Sequence, residues 1–338
     1  MPRRVKPASP PAWSAWQPLG LRLSAAVLAE TLDGGQSFRW SCDDAGVWTG
    51  IWSEHIAQLT LDPQGELLGR MPCGSPGGMA PLRHYLRLDT DFAALADQLP
   101  WRSDPHLAAC LAAFPGLRLP RQPFGETLLC FLCSATKQIV QIKQMVALLA
   151  QNHGAQITFE GEHAGPSARQ AHRHRDEPGH PPNQAVTGRG NSLPAIHRLP
   201  TWPELAAIPE DDLRRCLLGF RARYIKQTAL FLAARPGWLD ETEALPYPAA
   251  KARLMELPGV GEKVADCVLL FGAGKLEAFP VDTWILKALA QRYGLSGWKP
   301  AQLAQFGRAH YGPFAGLAQQ FLFAYERRSS AATMSLNR

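Results

Sequence analysis

The hydrophobic pattern of this 338-residue chain changes its period once, near Pro81. From about Pro18 to Gly69, short apolar runs alternate with polar residues and are broken by Asp, Gly and Pro, as in SFRWSCDDAGVWTGIW, which is typical of hairpins. After Pro81, apolar residues recur at helical spacing, for example in IVQIKQMVALLAQNHG. The chain is therefore predicted to be α+β, with an antiparallel β-sheet followed by an all-helical unit.

The change of period also predicts the domains. An antiparallel β domain with short helices is predicted over residues 17–115 and a helical domain over residues 116–328. The basic, proline-rich residues 1–16 and residues 329–338 are predicted to be tails, the first of them disordered. Residues 161–192 contain no Leu, Ile, Met, Phe, Tyr or Trp, so burial of apolar surface cannot offset the entropy of ordering them. We predict a disordered insertion, in which the HRHR run is a solvated polar loop rather than a metal site.

Charge and composition narrow the classes of partner. The net charge of +6 and the pI near 9.0 suit a polyanion, although many basic proteins bind none. No apolar run reaches membrane-spanning length, and the N-terminus lacks the apolar core of a signal peptide. The seven cysteines are accordingly predicted to be reduced and mostly buried. We expect no membrane partner, and a location in the cytoplasm of a bacterial-type cell or in a nucleus.

A helix–hairpin–helix pattern lies in LMELPGVGEKVADCVLL. Gly259 and Gly261, on either side of Val260, let the hairpin backbone approach a partner closely. The hairpin amides and the positive end of the second helix favour a phosphate group. The pattern alone is equally compatible with a tight corner between two packed helices that binds nothing.

Two charged residues beside this hairpin favour a catalytic interpretation. Lys263 stands in the first turn of the second helix, where the helix dipole disfavours a cation and so favours the neutral, nucleophilic amine. Its alternative role is that of an exposed lysine that binds phosphate. Asp282, in FPVDTW, directly precedes an apolar-periodic helix and is a good N-cap for it. The same carboxylate could take the proton of Lys263 or stabilise positive charge that grows on a sugar ring.

These motifs are accompanied by five others, all in the order found in one family. They are GGQSFRW (34–40), YLRLD (85–89), LRLPRQ (117–122), GFRARY (219–224) and GPFAGLAQQFLF (312–323). Together with GVGEKVADC and PVD, the set resembles 8-oxoguanine DNA glycosylases of the helix-hairpin-helix superfamily. The resemblance covers about residues 17–327, interrupted by the insertion.

The resemblance implies the roles of the two charged residues. Lys263 would attack C1′ of the lesion nucleotide and displace the base, giving a Schiff base that can lead to strand cleavage by β-elimination. Asp282 would be the catalytic carboxylate. Extrusion of the base from the duplex is required, because C1′ and the base edges are shielded within the stack.

The resemblance also implies a base pocket of four residues. The main-chain carbonyl of Gly35 would accept a hydrogen bond from the N7–H that 8-oxoguanine has and guanine lacks. Guanine would leave this acceptor facing a lone pair, so the normal base is rejected. Cys267 and Phe323 would stack on the two faces of the base, and Gln319 would bind its Watson–Crick edge.

The implied contacts to the rest of the duplex come from three segments. The hairpin residues 259–261 would hold the phosphate backbone. Arg221 would contact the cytosine left behind, and Phe220 would fill the gap in the stack. Lys137 completes the predicted set of DNA-binding residues.

The chain departs from the family pattern around the orphaned cytosine. Residues 135–138 are Ala-Thr-Lys-Gln where the family has an Asn-rich run, and Gln141 stands where an arginine is expected. Trp284 replaces a histidine that touches the phosphate of the lesion. The check of the opposite base would then rest mostly on Arg221. We expect excision opposite A, G or T to be only mildly slower than opposite C.

The sequence therefore predicts a monomeric base-excision repair glycosylase and AP lyase that removes 8-oxoguanine, preferentially opposite C, from double-stranded DNA. No cofactor or metal is expected, and no cysteine follows Cys267, which excludes the C-terminal four-cysteine iron–sulfur cluster of a related group. One alternative is a glycosylase for other damaged purines, either formamidopyrimidines or alkylated bases. Lys263 argues against the alkylated-base enzymes, which use an Asp without a hairpin lysine. The other alternative is a non-catalytic DNA-binding homologue.

Overall fold

The computed structural model describes residues 12–158 and 195–336, with side chains up to residue 329. The predicted insertion at 161–192, including its HRHR run, lies outside the described residues. So do residues 1–11 of the predicted N-terminal tail and the last two residues of the chain.

The N-terminal part forms a five-stranded antiparallel sheet in the order β1-β5-β4-β3-β2. Its strands are β1 (Gln17–Arg22), β2 (Trp40–Cys42), β3 (Trp48–Trp52), β4 (His55–Leu61) and β5 (Glu66–Arg70). Aspartate side chains fix two of the turns, since Asp43 accepts hydrogen bonds from the amides of Ala45 and Val47, and Asp62 from that of Gln64. The α+β prediction is confirmed.

One helix interrupts the region that the alternating pattern assigns to strands. Helix α1 (Ala25–Asp33) begins at Ser24, whose side chain accepts a hydrogen bond from the amide of Val27 at 3.2 Å. Its buried face packs into the same core as the inner side of the sheet. The alternating pattern of residues 18–69 predicted a sheet and did not indicate this helix, because a local cap and an alanine-rich turn outweigh the surrounding alternation.

Helices dominate the rest of the described chain. They are α2 (Ala80–Tyr85), α3 (Phe92–Asp97), α4 (Pro105–Ala113), α5 (Phe124–Leu132), α6 (Ile139–His153), α7 (Trp202–Ala207), α8 (Glu210–Leu213), α9 (Arg221–Ala233), α10 (Trp238–Ala244), α11 (Tyr247–Leu254), α12 (Glu262–Phe271), α13 (Thr283–Arg292), α14 (Pro300–Tyr311) and α15 (Ala315–Leu336). None of the described helices is long and apolar enough to cross a membrane.

Both predicted tails differ from the structure at their inner ends. Ser14 donates its amide to the carbonyl of Met71 at 2.9 Å, and the guanidinium of Arg70 lies 4.2 Å from the ring centroid of Trp16. Residues 12–16 therefore extend the edge of the sheet. At the other end, the backbone of α15 stays helical to Leu336, beyond the start of the predicted tail at residue 329.

Contacts cross the predicted domain boundary at residue 115. Helix α4 packs on α15, and Asp104, the N-cap of α4, accepts hydrogen bonds from Tyr293 at 2.8 Å and interacts with His310 at 3.0 Å. The division into units 17–115 and 116–328 thus stays a proposal. All seven cysteines lie in the described residues as free thiols, and five of them are buried.

Candidate active site

A cavity of about 950 Å³ opens where the loop after α1, the end of α5, α12 and α15 meet. Aromatic rings form part of its wall, and those of Phe131 on α5 and Phe271 on α12 stack with centroids 5.6 Å apart. The cavity brings together residues that the sequence analysis drew from widely separated segments. They are Gly35, Lys137, Lys263, Cys267, Asp282, Gln319 and Phe323.

Lys263 reaches the cavity from the first turn of α12. That helix starts at Gly261 without a side-chain cap, so the amides of its first turn remain uncapped. The Nζ atom donates a hydrogen bond to the hydroxyl of Ser134 at 3.3 Å and lies 5.2 Å from the ring centroid of Phe131. The amine is therefore held against a hydroxyl and an aromatic face, directed into the cavity.

Asp282 combines a structural contact with a place in the cavity wall. Its Oδ1 accepts a hydrogen bond from the amide of Ile285 at 2.9 Å, which caps α13 as predicted. Burial raises the pKa of its carboxyl group above the ordinary value, while the amide of Ile285 and the charge of Lys263 oppose the shift. Within the described chain, no direct ion pair joins Asp282 to Lys263, although the two charges act on each other.

Three side chains form the part of the cavity predicted to hold a base. Cys267 and Phe323 are both buried. Burial raises the pKa of the Cys267 thiol to about 12, with Lys263 opposing the shift, so the group is an uncharged, polarizable surface at neutral pH. Gln319 is also buried, and its Oε1 accepts a hydrogen bond from Gln320 at 2.9 Å, which fixes the orientation of the amide.

Gly35 has a conformation that favours glycine. Its φ is +92°, and a Cβ atom added there would lie 2.8 Å from Cδ1 of Ile139 and 3.6 Å from Cζ of Phe323. The side chain of Gln122 holds the loop by donating to the carbonyl of Gln36 at 2.6 Å. The loop backbone is thus fixed in the cavity wall beside Ile139 and Phe323.

The hairpin before α12 is tightly packed on α9. Gly259 has φ +80°, and an added Cβ atom would lie 2.8 Å from the ring of Tyr224. The prediction that the amides of residues 259–261 bind phosphate needs one correction. The amide of Val260 already donates to the carbonyl of Leu257 at 3.1 Å, because it closes the turn. Among the described hydrogen bonds, none uses the amides of Gly259 or Gly261.

Arg221 differs most from its predicted position. It is only 2% exposed, and its guanidinium donates to the carbonyl of Leu218 at 3.2 Å, to Oγ1 of Thr136 at 3.0 Å and to the carbonyl of Ala135. In this conformation the guanidinium holds the loop after α5, so its contact with an opposite base stays a prediction that requires these bonds to be released. Phe220, by contrast, is 53% exposed.

The departures from the family pattern have structural consequences. The Oε1 atom of Gln141 accepts a hydrogen bond from the amide of Gln138 at 3.2 Å, so the side chain caps α6. Trp284 lines the cavity, and Lys137 is exposed at its rim. In the described parts of the chain, no group of His, Cys, Asp and Glu side chains has the arrangement of a metal site.

Some residues that pack on α12 support the site, although no pattern in the sequence identified them. Asp266 is buried on the side of the helix away from solvent, where it accepts a hydrogen bond from Tyr247 at 2.7 Å and pairs with Lys251 at 3.0 Å. These contacts fasten α12 to α11.

Ser134, whose hydroxyl accepts the hydrogen bond from Lys263, was also not identified from the sequence. Its position directly after the cysteines of α5 gives no hint of a contact with a residue so distant in sequence.

Comparison with known proteins agrees with this architecture. The family model of the 8-oxoguanine DNA glycosylase N-terminal domain matches residues 19–128. The N-glycosylase/DNA lyase OGG1 of Arabidopsis thaliana is 29% identical over 326 residues, covering 92% of this chain and 80% of that protein. A probable N-glycosylase/DNA lyase of Methanothermobacter thermautotrophicus is 31% identical over 243 residues, covering 70% of this chain and 71% of that protein.

Solved structures give the same result. The apo-form of the Clostridium acetobutylicum 8-oxoguanine glycosylase/lyase has a TM-score of 0.73 and 28% identity, covering 88% of this chain and 92% of that chain. The same enzyme in complex with double-stranded DNA containing cytosine opposite 8-oxoguanine has a TM-score of 0.73 and 26% identity, covering 90% and 92%. The chain therefore belongs to the 8-oxoguanine DNA glycosylase family.

Proposed function

We propose that this protein is a DNA glycosylase and AP lyase that excises 8-oxoguanine, preferentially opposite C, from double-stranded DNA. The observation that carries this proposal is the meeting of Lys263, Asp282 and the Gly35 backbone in one cavity. The pocket thus contains a nucleophile, a carboxylate and an acceptor for the lesion. Relatives from Arabidopsis thaliana and Saccharomyces cerevisiae, whose matches cover 92% and 83% of this chain, are named N-glycosylase/DNA lyase.

The chemistry assigned to Lys263 is attack on C1′ of the extruded nucleotide. The lone pair of neutral Nζ forms the new C–N bond while the bond from C1′ to the base breaks and its electrons leave with the base. The nitrogen then loses a proton, and the bond from C1′ to the ring oxygen O4′ breaks as O4′ takes up a proton, which opens the sugar ring and gives the imine. Removal of a proton from C2′ then forms the C2′–C3′ double bond and expels the 3′ phosphate by β-elimination. The carboxylate of Asp282 stabilises the positive charge that develops on the sugar and lies near enough to act on the charge of Lys263.

Recognition of the lesion is assigned to the four pocket residues. The carbonyl of Gly35 accepts the N7–H of 8-oxoguanine, while the uncharged thiol of Cys267 and the ring of Phe323 enclose the two faces of the base. Gln319, oriented by its neighbour, binds the Watson–Crick edge. Because the acceptor is fixed, guanine leaves it without a hydrogen-bond partner and binds more weakly.

Binding of the duplex is assigned to the hairpin and to the rim of the cavity. The amides of Gly259 and Gly261 and the uncapped first turn of α12 bind backbone phosphate. Lys137 adds a charge at the rim, and Phe220 fills the gap left by the extruded base. Arg221 contacts the orphaned cytosine only after it leaves the carbonyls that hold it, which weakens the check on the opposite base.

The protein is proposed to act as a monomer, without cofactor or metal, in the compartment that contains the genome. That compartment is the cytoplasm of a bacterial-type cell or a nucleus. Units 17–115 and 116–328 are proposed to contribute the two sides of the cavity, with Gly35 on the first and Lys263 on the second.

A panel of duplexes tests the substrate. Each carries one modified purine opposite C: 8-oxoguanine, a formamidopyrimidine, an alkylated adenine, or unmodified guanine as the control. Release of base is measured under single-turnover conditions. We expect fast release of 8-oxoguanine and none of guanine. Release of the alkylated base alone, or binding without release of any base, would replace the proposal by one of the two alternatives.

A further inference from the structure

The segment between α8 and α9 presents an apolar side chain in an unusual conformation. Leu217 has φ +62°, in the left-handed region that favours glycine, and its side chain is 52% exposed. Its neighbours Cys216 and Leu218 are both fully buried. The backbone therefore directs the side chain of Leu217 outward between two core residues. Packing of the core does not require this exposed side chain. A residue held in a costly conformation with an exposed side chain points to a function.

The segment is held rigidly from both sides. Arg214 donates to the carbonyl of Gly219 at 3.2 Å, and Arg221 donates to the carbonyl of Leu218 at 3.2 Å. Asn152 on α6 contacts the sulfur of Cys216 at 3.6 Å. The contacts of Arg214 and Asn152, which do not depend on Arg221, fix the backbone that carries Leu217, so little further backbone entropy is lost on binding.

The exposed surface of this segment continues into the proposed DNA contact. Phe220, only three residues after Leu217, is equally exposed, and its ring meets that of Tyr224 with centroids 6.1 Å apart. Tyr224 in turn packs on Gly259 of the hairpin. Three residues span at most about 10 Å, which is the length of about three base-pair steps. Leu217 and Phe220 can therefore reach the same disturbed part of one duplex.

We propose that Leu217 and Phe220 together form a two-residue wedge that enters the base stack where the lesion is extruded. Leucine and phenylalanine are side chains that proteins insert between base steps, where they replace the lost stacking and hold the duplex open. Leu217 is thus a positioning residue, because it keeps the base out of the stack while Lys263 reacts. This inference rests on the proposed excision from double-stranded DNA.

The test separates the wedge from a structural role with four variants. Leu217→Ala and Leu217→Gly remove the side chain, Leu217→Met retains an apolar side chain of similar length, and Leu230→Ala changes a leucine of similar exposure within α9. Excision of 8-oxoguanine opposite C is measured under single-turnover conditions, and stability by urea unfolding. Glycine suits the positive φ, so Leu217→Gly is expected to keep or raise the urea midpoint.

A second measurement reports on the stack itself. The variants are placed in a Lys263→Gln background and bound to a duplex with 2-aminopurine beside the base opposite the lesion. Fluorescence of this analogue rises when it unstacks. We expect Leu217→Gly and Leu217→Ala to lower the excision rate at least about tenfold and to abolish most of the fluorescence rise. Leu217→Met and Leu230→Ala should match the wild type.

Three results would overturn the wedge. The first is excision and fluorescence within twofold of wild type for both truncations. The second is a large fall in the urea midpoint of Leu217→Gly, which would give the side chain a structural role. The third is an equal loss in Leu230→Ala. If wild-type protein releases no 8-oxoguanine, the proposed function fails, while fluorescence in the Lys263→Gln background still decides whether Leu217 enters the stack.

Discussion

Asp282 has two roles in this account, a helix cap and a catalytic charge, and one substitution separates them. Asparagine has the same shape and is as good an N-cap as aspartate, so Asp282→Asn keeps the hydrogen bond to the amide of Ile285. It removes only the charge. Asp282→Ala removes both, and the lost cap should cost about 1 kcal/mol of stability.

The expected effect on stability follows from the direction of the pKa shift. Burial raises the folded-state pKa of Asp282 above its unfolded value, so the contribution of this group to stability is present at low pH and is lost as pH rises through the folded pKa. Asparagine cannot ionise and does not incur this loss. At neutral pH, Asp282→Asn should be as stable as wild type or slightly more stable, with a change within about 0.5 kcal/mol.

The expected effect on activity is much larger. A fixed charge placed where positive charge develops is typically worth about 3–4 kcal/mol, so excision by Asp282→Asn should fall roughly 10²–10³-fold. Wild-type activity should also decline on acidification at a pH above the ordinary aspartate pKa of 3.8, and this limb should disappear in the variant. Single-turnover excision across pH and urea unfolding provide the data. Near-normal excision by a folded Asp282→Asn protein would refute the catalytic role.

Three further predictions concern the pocket, the opposite base and the core. Gly35→Ala should cost about 1–3 kcal/mol in urea unfolding and reduce the ratio of 8-oxoguanine to guanine excision, because an L-residue strains φ +92° and moves the carbonyl; an unchanged ratio would argue against that carbonyl. Excision opposite A, G or T should stay within about tenfold of excision opposite C in matched duplexes, since Gln141 caps α6 and Arg221 is buried; a strong preference for C would contradict this. Asp104→Ala should lower the free energy of unfolding by about 2–4 kcal/mol, because it removes the cap of α4 and the carboxylate that accepts from the hydroxyl of Tyr293; a loss below about 0.5 kcal/mol would be inconsistent with these bonds.

Much of the fold could be predicted because its signals are local. The Asp turns of the sheet, the N-cap at Asp282 and the glycine hairpin each depend on a few adjacent residues. Helix α1 was missed since its short pattern is embedded in alternating segments. The backbone of the last helix also continues further than its apolar pattern indicated.

The site could be predicted only in part, for a physical reason. The cavity joins segments far apart in the chain, and the resemblance to a family supplied that grouping rather than any spacing. The positions of the other site residues depend on tertiary contacts that no local sequence pattern indicates. Arg221 is buried against the loop after α5, a contact with no local sequence signal, and the exposure of Leu217 depends on a φ value that composition cannot reveal.

The central claim is that Lys263 forms a covalent bond with the sugar of the lesion nucleotide. Incubation of the protein with an 8-oxoguanine·C duplex and sodium borohydride would reduce the imine to a stable protein–DNA adduct. We expect this adduct for the wild-type protein and its loss in Lys263→Gln, which should still bind the duplex. Release of 8-oxoguanine by the wild-type protein without any trapped adduct, or an adduct that persists in Lys263→Gln, would contradict it.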